Sequence, residues 1–141
     1  MRLSRPLLLN MRSLRISALL AAALVAAVPF LMAGAGDGGW MSRVPEKNRV
    51  RLNPFADDTR AVAAGAKLFR QNCSKCHGSE GAGQDKKPAL RSDRIRQATP
   101  GELEWLLNNG SMKNGMPSWS RLPEPQRWQI VTYIKDLVKG Q

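Results

Sequence analysis

The chain has two cysteines and a single histidine, and all three fall within five consecutive residues: Cys73, Cys76 and His77, in the run "RQNCSKCHGSEG" from Arg70 to Gly81. Every thiol and every imidazole available to the fold is therefore delivered at one point, and the rest of the chain has to be arranged around it. A Cys-x-x-Cys pair suits three chemistries. In an exported protein it can be a disulfide or a redox dithiol. A thioredoxin-like pair, however, follows a strand and precedes a helix in a βαβ setting, and no stretch here alternates like a strand. Structural zinc wants four ligands from Cys and His, and two Cys with one His make at most three.

The third chemistry is covalent haem. Two thiols one helical turn apart can each add to a vinyl group at the porphyrin edge, and the histidine directly after the second thiol reaches the iron. That Cys-x-x-Cys-His reading accounts for the adjacent histidine, which the other two do not. It also answers a packing problem. A helical domain of about 80 residues is marginal on its own core, and here the loops carry more residues than the helices.

The first 35 residues read as a secretory signal. Arg2, Arg5, Arg12 and Arg15 form a basic leader without acids, an apolar run follows from Ile16 to Met32, and Ala33-Gly34-Ala35 offers a cleavage site. Met11 offers a second start. The competing reading is an uncleaved membrane anchor, since the apolar run sits at the lower edge of a bilayer span. No cysteine near the cut site supports a lipoprotein. With the leader removed, the net charge of +11 becomes +7, eighteen basic against eleven acidic residues. Such a chain can meet acidic proteins, anionic lipid or cell-wall polymer. Nucleic acid is a poor match for one tyrosine and no basic-aromatic repeat.

Residues 36–56 read as a linker or extension, a solvated tether in preference to the alternative, a strap lying on the domain and anchored by Trp40 or Phe55. Residues 57–141 form the domain. Asp57 or Asp58 caps a first helix carrying Val62, Ala66 and Phe69 on one face, with Ala61 and Gly65 beside it. Gly78 to Ala98 reads as loop. "TPGE" starts a second helix, with Thr99 as cap, Pro100 in the first turn and Glu102 closing a capping box. Leu103, Leu106 and Leu107 give its apolar face, and Asn109-Gly110 ends it. The last helix opens at Pro123 or Pro125, and Ile130, Tyr133, Ile134, Leu137 and Val138 follow a helical stripe.

If His77 takes one side of a haem iron, a sixth ligand is needed, and no second histidine exists. Met116 in "NGMPSW" is the favoured candidate, because Gly115 lets the backbone approach and Pro117 stiffens the exit. Met112 is the other. Met/His ligation raises the reduction potential.

These features together resemble a small bacterial class I c-type cytochrome with one haem. The likeness covers residues 57–139, and the Gly-Met-Pro lies 39 residues beyond His77. It implies an all-α, class I cytochrome c-like fold of three to five short helices and long loops around one covalently attached haem c. It further implies that Gly65 and Phe69 meet Tyr133 where the first and last helices cross. The Pro88 carbonyl would accept the proton on the second nitrogen of His77, and Leu90 would pack on the haem. Trp105, Trp119, Arg91 and Arg94 are candidates for the haem propionates.

With both axial positions filled, no substrate site is left and no nucleophile-base pair is visible. The resemblance implies an exported, periplasmic one-electron carrier rather than an enzyme. Its partners would be redox proteins with an acidic docking face, such as a periplasmic dehydrogenase and a terminal oxidase, met by Lys75, Lys86, Lys87 and Lys113. Membrane association would follow only from an uncleaved leader. A haem-based sensor with a labile sixth ligand is the alternative.

Overall fold

The computed structural model describes residues 39–139, so the leader expected at residues 1–35 lies outside the described residues. Those described form an all-α fold without strands. The helices are α1 (Glu46–Arg49), α2 (Thr59–Asn72), α3 (Ser74–His77), α4 (Asp93–Gln97), α5 (Pro100–Asn109) and α6 (Glu124–Leu137). Two 3-10 turns, Met41–Arg43 and Met112–Asn114, complete the set. The three longer helices are those expected, and α1, α3 and α4 are single turns beside them.

Helix α2 starts because the Asp58 carboxylate accepts the Arg60 amide at 2.8 Å, satisfying a donor the helix cannot. It buries Ala61, Gly65 and Phe69, one residue per turn, while Val62 and Ala66 lie half-buried on its flank. Helix α6 crosses it at Gly65, where a Cβ would stand 2.0 Å from the Gln129 carbonyl oxygen. The missing side chain is what lets two backbones touch. One turn on, Phe69 meets Tyr133 with ring centroids 5.3 Å apart, tilted by 56°.

Helix α5 carries the full capping box: the Thr99 hydroxyl accepts the Glu102 amide, and the Glu102 carboxylate accepts the Thr99 amide. Helix α6 buries more of its circumference than the expected stripe. Arg127, Trp128, Val131 and Thr132 are buried alongside Ile130 and Ile134, whereas Tyr133 and Leu137 are half-buried. Arg127 is tolerated inside because its Nε donates to Glu104 at 2.9 Å.

Two expectations need correction. The loop read from Gly78 to Ala98 contains α4, a short turn around the buried Ile95. The Lys135 ammonium donates to the carbonyls of Ile95, Arg96 and Ala98, so orphan acceptors at the end of α4 are filled from α6. The linker-or-extension segment, from Trp40 on, is the strap and not the solvated tether. Trp40 and Val44 are buried in the core, and Arg49 and Arg51 pair with the buried carboxylates of Glu102 and Glu104. Asn53 donates to Thr132 Oγ1 at 2.9 Å. The strap needs Gly101, since a Cβ there would lie 1.9 Å from the Asn48 carbonyl oxygen. Among the described residues, no buried side-chain polar atom is left without a hydrogen-bond partner.

Candidate functional site

The Cys-x-x-Cys-His run folds as one tight turn hung on the end of α2. Cys73 ends that helix, its amide donating to the Phe69 carbonyl at 2.8 Å, and at once opens α3. The amides of Cys76 and His77 return to the Cys73 carbonyl at 3.1 and 3.0 Å. Both thiols are free, Cys73 buried and Cys76 exposed. Burial, with a smaller contribution from Cys76, pushes the Cys73 thiol up to about 12. Redox dithiols work by a lowered thiol pKa, so the environment of Cys73 opposes that role. Among the described residues, no three or more His, Cys, Asp or Glu come together in a group that could hold a metal ion.

His77 is fixed from both ends. Its carbonyl accepts the Gly83 amide at 2.8 Å, and its ring Nδ1 lies 2.9 Å from the Pro88 carbonyl oxygen. A carbonyl can only accept, so Nδ1 donates, and in the neutral ring this leaves the Nε2 lone pair for a ligand. The loop between them is tied down by the Leu90 amide on the Gly81 carbonyl at 2.7 Å. Leu90 is half-buried against the core.

Met116 and Met112 are sharply different. Met116 is half-buried and packs on the core, whereas Met112 is 73% exposed on the 3-10 turn. The backbone of Met116 pairs with that of Ser111 in both directions, at 2.8 and 3.1 Å, closing a small hairpin whose tip is Gly115. The Lys87 side chain reaches from the histidine loop to this hairpin: its Nζ lies 2.8 Å from where a Cβ on Gly115 would stand.

The candidate propionate donors divide. Arg91 is committed to Glu80, donating to its carbonyl at 2.9 Å and to its carboxylate at 3.1 Å. Trp105 and Trp119 are half-buried against the core, with Arg121 stacked 4.3 Å over the Trp119 ring. Arg94 is half-buried on α4. Sequence reasoning missed Ser111, the root of the methionine hairpin. The signal was the "NGS" after α5, which reads as an ordinary helix end.

The donor set fits haem: two unbridged thiols on one turn, an imidazole whose Nδ1 is occupied and whose Nε2 is not, and a partly buried thioether on a neighbouring loop. Residues 60–134 match the family described as cytochrome c oxidase, cbb3-type, subunit III. The chain is 33% identical over 87 residues to cytochrome c6 of Cladophora glomerata, covering 56% of this chain and 91% of that protein. It is 30% identical over 91 residues to cytochrome c550 of Pseudomonas aeruginosa, covering 60% of this chain. It is 27% identical over 101 residues to the cbb3-type cytochrome c oxidase subunit CcoP of Rubrivivax gelatinosus, covering 62% of this chain. It spans 61% of the cytochrome c550 and 33% of the oxidase subunit. With the family match running from the first turn of α2 to the last turn of α6, the chain belongs to this cytochrome c family and is a small class I c-type cytochrome carrying covalently bound haem c.

Proposed function

We propose that the chain is an exported one-electron carrier with a single haem c, held by thioethers from Cys73 and Cys76, with His77 and Met116 as axial ligands. The observation that carries this reading is the 2.9 Å contact between His77 Nδ1 and the Pro88 carbonyl. It fixes the tautomer, orients the ring and raises the basicity of Nε2. Haem bound by a histidine and a methionine exchanges one electron at a raised potential.

Each remaining residue has a definable task. Met116 is favoured over Met112 because ligation needs a sulfur held at the core, and Met112 points its apolar length into water. Leu90 supplies an apolar wall next to the Pro88 loop. Lys75, Lys86 and Lys113 are exposed and Lys87 is half-buried. Their charge would steer an acidic redox partner, at a rate that falls with salt. A periplasmic dehydrogenase or cytochrome complex as donor and a terminal oxidase as acceptor suit such a carrier, and the likeness to an oxidase subunit supports the latter. Residues 1–35 would export the chain, leaving the strap and the domain of residues 57–141 as the working protein.

The test is spectroscopic. The exported protein should keep its haem on the polypeptide through acid-acetone extraction and be low-spin when oxidised. A sulfur-to-iron charge-transfer band should vanish in Met116→Ala and survive in Met112→Ala. A high-spin oxidised protein that binds carbon monoxide readily on reduction would replace the carrier by a small-ligand sensor. Haem lost on extraction would sink the attachment itself.

A further inference from the structure

The strap lies before the region matched to the family, which begins at residue 60. Its fastening is nonetheless extensive. Arg49 donates to the Met41 carbonyl and pairs with Glu102, and the Thr99 hydroxyl donates to the Arg49 carbonyl at 2.9 Å. Arg51 pairs with Glu104 and Glu124 and stacks 5.0 Å over Trp128. These contacts hold the strap along α5, the helix whose end leads into the methionine hairpin.

One contact goes further. Arg43 Nη2 donates to Ser111 Oγ at 3.4 Å. Ser111 is buried, at 4% exposure, and its hydroxyl also accepts from Asn114 Nδ2 at 2.8 Å. Its backbone is the one that pairs with Met116 in both directions. Strap, hairpin tip and methionine thus meet at a single serine. We propose that the strap is a resident brace for the methionine loop, with Arg43 a positioning residue that acts on Met116 through Ser111. The proposal rests on the reading of Met116 as an axial ligand.

The physical consequence is measurable. A methionine can be displaced by an outside ligand only while its loop is open, so apparent affinity scales with the open fraction. Each hydrogen bond that holds the loop shut lowers that fraction. The Arg43 bond is long, so losing it should matter less than losing the Ser111 hydroxyl, which serves two donors.

The experiment titrates the oxidised haem protein with imidazole and follows the loss of the sulfur-to-iron band. Arg43→Ala should raise imidazole affinity about twofold to threefold, and Ser111→Ala about fivefold. The double variant should match Ser111→Ala alone, because both substitutions break the same connection. Arg43→Gln, which keeps a donor, should recover part of the loss. Amide hydrogen exchange at Ser111 and Met116 should quicken in the same order. A merely structural role for Arg43 would lower the melting temperature and leave imidazole affinity unchanged, which overturns the proposal. Independent, additive effects of Arg43→Ala and Ser111→Ala overturn it too. If wild type binds imidazole as tightly as Met116→Ala does, Met116 is not a ligand, and the axial assignment fails before the brace is in question.

Discussion

The two loops that face the proposed iron site are built on different plans. The His77 loop is bonded at the proposed ligand itself: the ring nitrogen meets the Pro88 carbonyl at 2.9 Å, and the loop behind it is closed by Leu90 on Gly81 and by Arg91 on Glu80. The Met116 loop is bonded through its backbone and through Ser111, whose main chain pairs with Met116 and whose hydroxyl accepts from Asn114 and Arg43, and its tip stands in water with Met112 and Lys113 exposed. The reason is chemical. Imidazole has a second nitrogen by which the protein can orient it, whereas a thioether has no donor and is only a weak acceptor. A methionine can be aimed only by the backbone that carries it. The His77 side should therefore respond to substitution through the ring's basicity, and the Met116 side through the freedom of the loop.

Gly110 puts the heaviest strain on that contrast. It sits at φ +70° and ψ −172°, a region essentially confined to glycine. A Cβ there would meet Pro117 C and Ser118 N at 2.6 Å, both of them backbone atoms of the methionine loop. Gly110→Ala should destabilise the fold by about 3 kcal/mol and weaken the sulfur-to-iron band at temperatures where the protein is still folded. Thermal denaturation followed at that band and in the far ultraviolet checks both. Coincident transitions together with an intact band would mean that the root of the loop is not what aims Met116.

Gly115, at the tip, should be far more forgiving. Its conformation is left-handed, at φ +71°, but the only atom a Cβ would crowd is the end of the Lys87 side chain. Lys87 can swing aside, so Gly115→Ala should cost about 1 kcal/mol, the left-handed penalty alone. On the histidine side, Arg91→Ala removes two hydrogen bonds at a half-exposed surface and should cost less than about 1 kcal/mol. Its value is in the second readout. Imidazole affinity should stay at the wild-type level, since nothing in the methionine loop is touched. A rise would show that the two loops open together and would dissolve the distinction between them.

How much of this was legible depended on the range of the interactions. The capping box of Thr99 and Glu102, the stop at Gly110 and the turn from Cys73 to His77 are set by neighbours in the chain, and they fold as the sequence reads. The meeting of Phe69 with Tyr133 and of His77 with Pro88 followed from the resemblance, since no local pattern announces either. The strap was misjudged because its signals are diluted. Trp40 and Val44 are sparse apolar residues in a stretch broken by Gly, Ser and Pro, with no period to read, and Arg49 and Arg51 look like a solvated run until Glu102 and Glu104 appear beneath them. Those partners lie 53 residues away. Helix α4 escaped for the same kind of reason. One buried residue, Ile95, gives no period to detect, and its final carbonyls are satisfied by Lys135 from the other end of the domain.

The smallest expected effect tests the strap's grip from outside the loops. The Glu124 carboxylate accepts from Trp128 Nε1 at 3.0 Å and pairs with Arg51, and these bonds hold its pKa below the ordinary glutamate range, the Trp128 bond contributing most. A carboxyl whose folded pKa is depressed binds its proton more readily when unfolded. Its stabilisation is therefore fully present above the unfolded value near 4.3 and fades as pH falls through the folded one. Because the side chain is 48% exposed, solvent screens the pair, and the contribution should be about half a kcal/mol at most. Melting temperatures of wild type and Glu124→Gln should differ slightly at pH 6 and converge towards pH 3, with the wild type losing the larger share. If the difference persists unchanged at pH 3, the ionised carboxylate is not what holds Arg51, and the strap's attachment at that point rests on the Trp128 stack and Glu104 instead.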